Sequence, residues 1–187
     1  MGRWLARGFL RITGWKLEGV KPDAPRFVLV AAPHTSNWDL PYMLALSLAC
    51  DIKLHWMGKH TLFKPPLGWL LRPLGGIPVV RHRTGNLVGQ LVTRFKESES
   101  LALVVPAEAT RSRAPHWKSG FYYIARAADV PVLLGFLDYS RKRGGFGPAL
   151  ELTGDVSSDM DEIRSFYADK VPKYPDLFGD VRLKEES

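Results

Sequence analysis

The run Pro33-His34-Thr35-Ser36-Asn37-Trp38-Asp39 sets a histidine and an aspartate with four residues between them, just after an apolar segment, Phe27 to Ala32. Neutral imidazole suits the removal of a proton near neutral pH. A neighbouring carboxylate fixes the tautomer of such a base and stabilises the imidazolium that forms. No serine or cysteine nucleophile is needed if the substrate brings its own hydroxyl. The pair therefore suggests transfer of a group onto an alcohol, with His34 as base. Taken alone, one such pair arises often by chance.

Two further runs bring charge to strand ends. Val105-Pro106-Ala107-Glu108-Ala109-Thr110-Arg111-Ser112-Arg113 follows an apolar strand-like stretch. Arginine suits phosphate because its planar fork donates two parallel hydrogen bonds. The plainer reading of this run is a surface ion-pair cluster. Gly75-Gly76-Ile77-Pro78-Val79-Val80-Arg81 opens on a glycine pair and ends in arginine.

Apolar runs of strand length alternate with helical patterns across the chain. Strands are expected over 27–32, 52–57, 76–81, 101–106, 130–137 and 149–153. Helices are expected over 38–50, with Thr35, Ser36 or Asn37 as cap, then 61–71 broken at Pro65-Pro66, 86–98, 120–128 and 159–170. Residues 171–187 read as an extended or loosely packed tail. This alternation predicts a single α/β domain with a mixed, mostly parallel sheet flanked by helices. In such sheets ligands bind at the carboxyl ends of the strands.

The 187 residues fit one domain, and hydrophobic residues make up 45%. A single cysteine, Cys50, excludes an internal disulfide framework, fits a reducing, cytosol-facing location and reads as a packed thiol. No stretch has the roughly 18–20 apolar residues that span a bilayer. The net charge of +7 points to an anionic partner. Residues 1–17 carry Arg3, Arg7, Arg11 and Lys16 and no acid. Wound as a helix, they set Trp4, Leu5, Phe9, Ile12 and Trp15 on one side with the arginines beside them. That is the pattern of an amphipathic helix lying in a membrane interface, or of one packed on the domain. Residues 1–20 are thus expected to form the helix and 21–187 the catalytic domain, held peripherally on the cytoplasmic face of a membrane. The histidines lack ligand spacing with any cysteine or carboxylate cluster, so no metal site is expected.

In order and separation, the runs His34–Asp39, Gly75–Arg81, Pro106–Arg113 and Val130-Pro131-Val132 resemble the blocks of the glycerolipid acyltransferase family, lysophosphatidic acid acyltransferase type. The resemblance spans about residues 26–140. It implies an O-acyltransferase that moves a fatty acyl group from acyl-CoA or acyl carrier protein to a hydroxyl of a lysophospholipid, 1-acyl-glycerol-3-phosphate-like. His34 would be the base and Asp39 its support. Arg81, Glu108, Thr110 and Arg111 would bind the acceptor, the arginines on its phosphate. No cofactor is implied beyond the acyl thioester as co-substrate.

The chain departs from the family pattern in several places. Ala109 stands where glycine is usual, so either the turn keeps a negative φ or alanine is strained there. Ala107 is an extra residue before Glu108, Pro33 precedes the histidine, and Leu133 replaces a second proline. An acyl-thioester hydrolase, with His34 activating water, is a competing reading, as is an acyltransferase for a different acceptor lipid. No Gly-x-Ser-x-Gly elbow is present. A nucleic-acid-binding module is disfavoured, because the basic charge is not interleaved with aromatics on a sheet.

Overall fold

The segments Arg26–Ala31, Leu101–Val105 and Val132–Asp138 are almost wholly apolar and almost wholly buried. A strand can be apolar on both faces only where both faces are covered, the condition of a parallel sheet between helices. The computed structural model, which describes residues 2–19, 21–79 and 87–186, shows that arrangement. Seven strands form one sheet: β1 (Lys16–Glu18), β2 (Arg26–Ala31), β3 (Leu54–Lys59), β4 (Gly76–Val79), β5 (Leu101–Val105), β6 (Val132–Asp138) and β7 (Arg143–Leu150). Their order is β1-β7-β6-β2-β5-β3-β4. The five strands from β6 to β4 are mutually parallel, and β7 runs antiparallel to β6.

The helices are α1 (Gly2–Thr13), α2 (Asp39–Ala49), α3 (Leu67–Leu71), α4 (Leu87–Glu97), α5 (Gly120–Ala128) and α6 (Val156–Tyr167). Helices α4, α5 and α6 cover one face through a core that includes Phe95, Phe121, Ile124 and Ile163 against Val28, Leu103 and Leu134. On the other face α2 and α3 lie over Leu29, Leu54, Val104 and Phe146. Helix α1 packs on α2 through Ala6 and Leu10.

The expected mixed, mostly parallel α/β fold is therefore present. Four elements differ from expectation. The broken helix at 61–71 is a 3-10 turn, His60–Phe63, followed by α3 after the two prolines. The last strand is β7, which begins six residues earlier in the chain than the apolar 149–153 run, because Arg143-Gly-Gly-Phe-Gly pairs with β6 despite its glycines. Strand β1 pairs with β7 and carries no apolar alternation that would announce it. The tail is docked: Leu183 is buried, Trp117 donates its backbone N–H to Arg182 O at 2.8 Å, and Arg164 pairs with Glu186.

The side of α1 expected to be a single apolar face is split. Gly14, with φ +77°, turns the chain so that Trp15 folds back and stacks on Tyr42 at 4.3 Å, and Phe9 also lies against Tyr42. Trp4, Leu5 and Ile12 face outward, Ile12 being 88% exposed. No helix among the described residues is long and apolar enough to cross a membrane.

Candidate active site

Helix α2 leaves the end of β2 over one face of the sheet, whereas α5 leaves the neighbouring β5 over the opposite face. The crevice between the carboxyl ends of β2 and β5 is thus a topological switch point, where open α/β sheets bind ligands. His34 follows β2, and the Glu108–Arg111 run follows β5. The chain order alone delivers both to the same crevice.

Asp39 is the first residue of α2, so the intervening turn folds its carboxylate back on the histidine. His34 Nδ1 lies 3.0 Å from Asp39 Oδ2. The same oxygen accepts the Ser36 backbone N–H at 2.9 Å, and Oδ1 accepts the Tyr139 hydroxyl at 2.7 Å. A buried carboxylate needs such donors to keep its charge. None of the three expected caps closes the helix by a side-chain bond. Instead Ser36 Oγ accepts the Trp38 N–H at 3.1 Å, and Asp39 itself ties down Ser36. In the tautomer that carries its proton on Nδ1, beside Asp39, Nε2 keeps its lone pair. The imidazole is 24% exposed and lines the main cavity. That is the geometry of a general base.

Glu108 occupies a different place from an acceptor contact. It is 1% exposed, is not in the cavity wall, and accepts the His34 backbone N–H on Oε1 at 2.6 Å. Its other oxygen, Oε2, is buried without a partner. Burial pushes its carboxyl up to about 7, against the pull of the His34 amide, and the charge of Asp39 raises it further. The loop beneath this carboxyl turns tightly. Ala109 has φ +54°, the left-handed conformation that favours glycine, and donates its N–H to Pro106 O at 3.0 Å. The second of the two alternatives for Ala109 holds: the turn is left-handed and alanine carries the strain.

Thr110 and Arg111 are exposed at the cavity rim with Lys118 and Lys59. Thr110 Oγ1 also accepts the Ser112 N–H at 3.2 Å. Arg113 pairs with Asp180 at 3.6 Å, as an ordinary surface cluster would, whereas Arg111 has no ion pair among the described residues. Arg81 lies outside the described residues. The cavity, about 1110 Å³, runs from this basic rim past His34 and beneath α2, over Leu29, Met43, Gly135 and Phe146. It is large enough for a lipid-sized ligand, and its walls are mostly apolar. A smaller cleft of about 670 Å³ lies between α6 and the tail. It shares no lining residue with the first cavity, and Arg164 and Glu186 in its walls pair with each other. Trp117 and Phe121 pack in the core, and burial raises the Cys50 thiol, as expected of unreactive groups. Among the described residues no group of three or more His, Cys, Asp or Glu is arranged to hold a metal ion.

Three partners of the His34 loop are absent from the sequence patterns. Tyr139 lies 100 residues from Asp39, at the end of β6. Its hydroxyl is held far above the ordinary phenol range by burial and by the Asp39 carboxylate, so it remains a donor. Its ring meets Trp15 edge-on at 5.0 Å. From the tail, Tyr174 donates its N–H to Thr35 Oγ1 at 3.2 Å, and Val171 O accepts the Tyr139 N–H at 2.8 Å. The segment called a loose tail is a strap over the His34–Asp39 turn. A tyrosine following a buried strand carries no periodic or motif signal, so only the fold could reveal it.

A family model described as Acyltransferase matches residues 17–133, and the chain belongs to that family. The crystal structure of the 1-acyl-sn-glycerophosphate (LPA) acyltransferase PlsC from Thermotoga maritima is similar in fold, with a TM-score of 0.61 at 20% identity, over 90% of this chain and 74% of that one. No curated protein matches the chain in sequence. Membership of the Acyltransferase family thus rests on the family model, and the likeness to the PlsC structure is one of fold.

Proposed function

We propose that the protein transfers a fatty acyl group from the thioester of acyl-CoA or acyl carrier protein to a hydroxyl of a lysophospholipid at a membrane surface, on an acceptor like 1-acyl-glycerol-3-phosphate. The observation that carries this reading is the His34–Asp39 pair at the mouth of an apolar cavity with a basic rim. His34 Nε2 takes the proton of the acceptor hydroxyl as its oxygen bonds to the thioester carbonyl carbon. The tetrahedral intermediate collapses, the carbon–sulfur bond breaks, and the imidazolium returns the proton to the departing thiolate. Asp39 supports the imidazolium, with Tyr139 and the Ser36 amide fixing the carboxylate. Arg111, with Arg81 and Thr110, holds the acceptor phosphate, assisted by Lys118. An acyl chain fits beneath α2. Glu108 is a positioning residue that holds the His34 backbone. The outward face of α1, Trp4, Leu5 and Ile12 beside its arginines, rests on the lipid surface at the cytoplasmic side.

Purified protein given a labelled acyl thioester, carried on coenzyme A or on carrier protein, and a panel of lysolipids should form acylated acceptor. His34→Ala should lower the rate by about a thousandfold while the protein stays folded. Retained activity in that variant would remove His34 as base. Free fatty acid without acylated acceptor would establish a thioester hydrolase instead. An unchanged acceptor KM in Arg111→Ala would remove that arginine from the phosphate site.

A further inference from the structure

Residues 52–96 contain eight lysines and arginines and no aspartate or glutamate. Within this stretch the 3-10 turn His60–Phe63 and helix α3 form a small element between β3 and β4. Its inner side is fixed: Phe63 and Leu71 are buried in the core under the sheet, and Gly68 lies so close to Phe63 that a Cβ there would sit 2.0 Å from the Phe63 carbonyl oxygen. Its outer side is apolar and exposed among the described residues. Trp69 is 74% exposed, and Leu62, Leu67 and Leu70 are exposed beside it. Such a rigid apolar patch, with a tryptophan at its tip, is uncommon on a surface that meets only water.

We propose that this element is a second membrane contact, separate from α1, and that it docks on a bilayer containing anionic lipid. Trp69 and Leu70 enter the headgroup region, while Lys59, Lys64 and Arg72, all exposed, meet the lipid phosphates. Charge selects the bilayer over a protein partner of mixed charge, since no acid interrupts this stretch. Position supports the same occupant. Leu62 and Leu67 belong at once to this patch and to the wall of the cavity that holds His34, so the cavity opens onto the surface the patch touches. The element also lies on the same face of the sheet as α1 and α2. Two contacts on that face set the orientation of the molecule as well as its affinity, and direct the cavity mouth toward lipid. The purpose assigned to this contact rests on the function proposed above, but its existence does not.

The test is vesicle co-sedimentation of the full chain carrying Trp69→Ser and Leu70→Ser, neither of which lines the cavity. Phosphatidylcholine vesicles with and without phosphatidylglycerol serve as probes, and a Trp4→Ser, Leu5→Ser, Ile12→Ser variant is the comparison. Both positions are exposed, so an unchanged melting temperature is expected. Each variant should bind anionic vesicles about tenfold more weakly than the wild type. Replacing Trp69 by Phe should remove part of the tryptophan quenching by brominated lipid. Wild-type binding by the Trp69/Leu70 variant, with loss confined to the α1 variant, would overturn the proposal. So would a lipid-free dimer, seen by analytical ultracentrifugation, that the Trp69/Leu70 variant abolishes. Vesicle binding that depends on Trp69 in a protein without acyl transfer would keep this contact and refute the proposed function.

Discussion

The two faces of the sheet are built to different ends. On the side of α4, α5 and α6 a core that includes Val28, Phe95, Leu103, Phe121 and Ile163 is fully buried, and the cavity reaches this side at α4 and the start of α5, through Leu87, Leu91 and Ile124. On the side of α1, α2 and α3 the helices pack on the sheet through Leu40, Met43 and Leu71 but cover it incompletely. They leave room beneath α2 and turn Trp4, Trp38 and Trp69 outward. The first face carries the stability of the domain. The second keeps an apolar interior partly empty and an apolar exterior partly bare, which suits the lipid ligand proposed above. The reacting groups lie along the seam between the faces, where β2 and β5 send their helices to opposite sides.

Paired truncations test that contrast most severely. Phe121→Ala on the closed face should cost about 3–5 kcal/mol, since it leaves a cavity in a packed core. Met43→Ala, in the wall of the existing cavity, should cost only about 1 kcal/mol. Denaturant titration measures both. Equal losses would show that the cavity face is packed as tightly as the other.

At the seam, Glu108 makes stability depend on pH. Its carboxyl titrates at about 7 in the folded protein, above its ordinary value of 4.5. The folded state therefore binds this proton more tightly than the unfolded chain does. The resulting stabilisation is fully present below about pH 4.5 and is lost as pH rises through about 7. Wild type should lose stability relative to Glu108→Gln over that range, by on the order of 3 kcal/mol at most. Parallel pH dependences in thermal melts of the two proteins would show that Glu108 is ionised throughout.

Tyr139 tests how far the open face reaches into the site. Tyr139→Phe keeps the ring against Trp15 but removes the donor to Asp39. We expect kcat to fall about tenfold with little change in KM, and the melting temperature to fall as well, because one charge-assisted hydrogen bond to a buried carboxylate is lost. A change in KM alone would place Tyr139 on the substrate instead. Smallest of all, Ala109→Gly should stabilise the protein by about 0.5–1 kcal/mol, by relieving the left-handed φ against a gain in unfolded-state freedom. A lower denaturation midpoint would show that the turn gains more from alanine's restricted chain than it loses to strain.

Much of this architecture is legible in the chain. The apolar runs of β2, β5 and β6 follow from burial on both faces, and α5 follows expectation to the residue because Gly120–Ala128 keeps a clean helical period. The His34–Asp39 spacing is readable too, since four intervening residues let a carboxylate at the start of a helix reach back to the histidine. Strand β7 and the docked tail are less legible. Glycines hide the first, and the second is held by contacts with Trp117, Thr35 and Arg164, far from it in sequence.

By itself, the sequence determined which groups are available: a histidine with an aspartate, an arginine-bearing run, an apolar and basic surface, and the order of strands and helices that brings them to one edge. These are properties of residue type and short spacing, and local physics settles them. The tertiary structure decided that Tyr139 and the 171–174 strap hold the dyad. It also set Glu108 against the His34 backbone, outside the cavity wall, and split the apolar residues of α1 between α2 and the solvent. Each of those outcomes depends on which distant surface a side chain meets when the chain closes, and no local pattern carries that information.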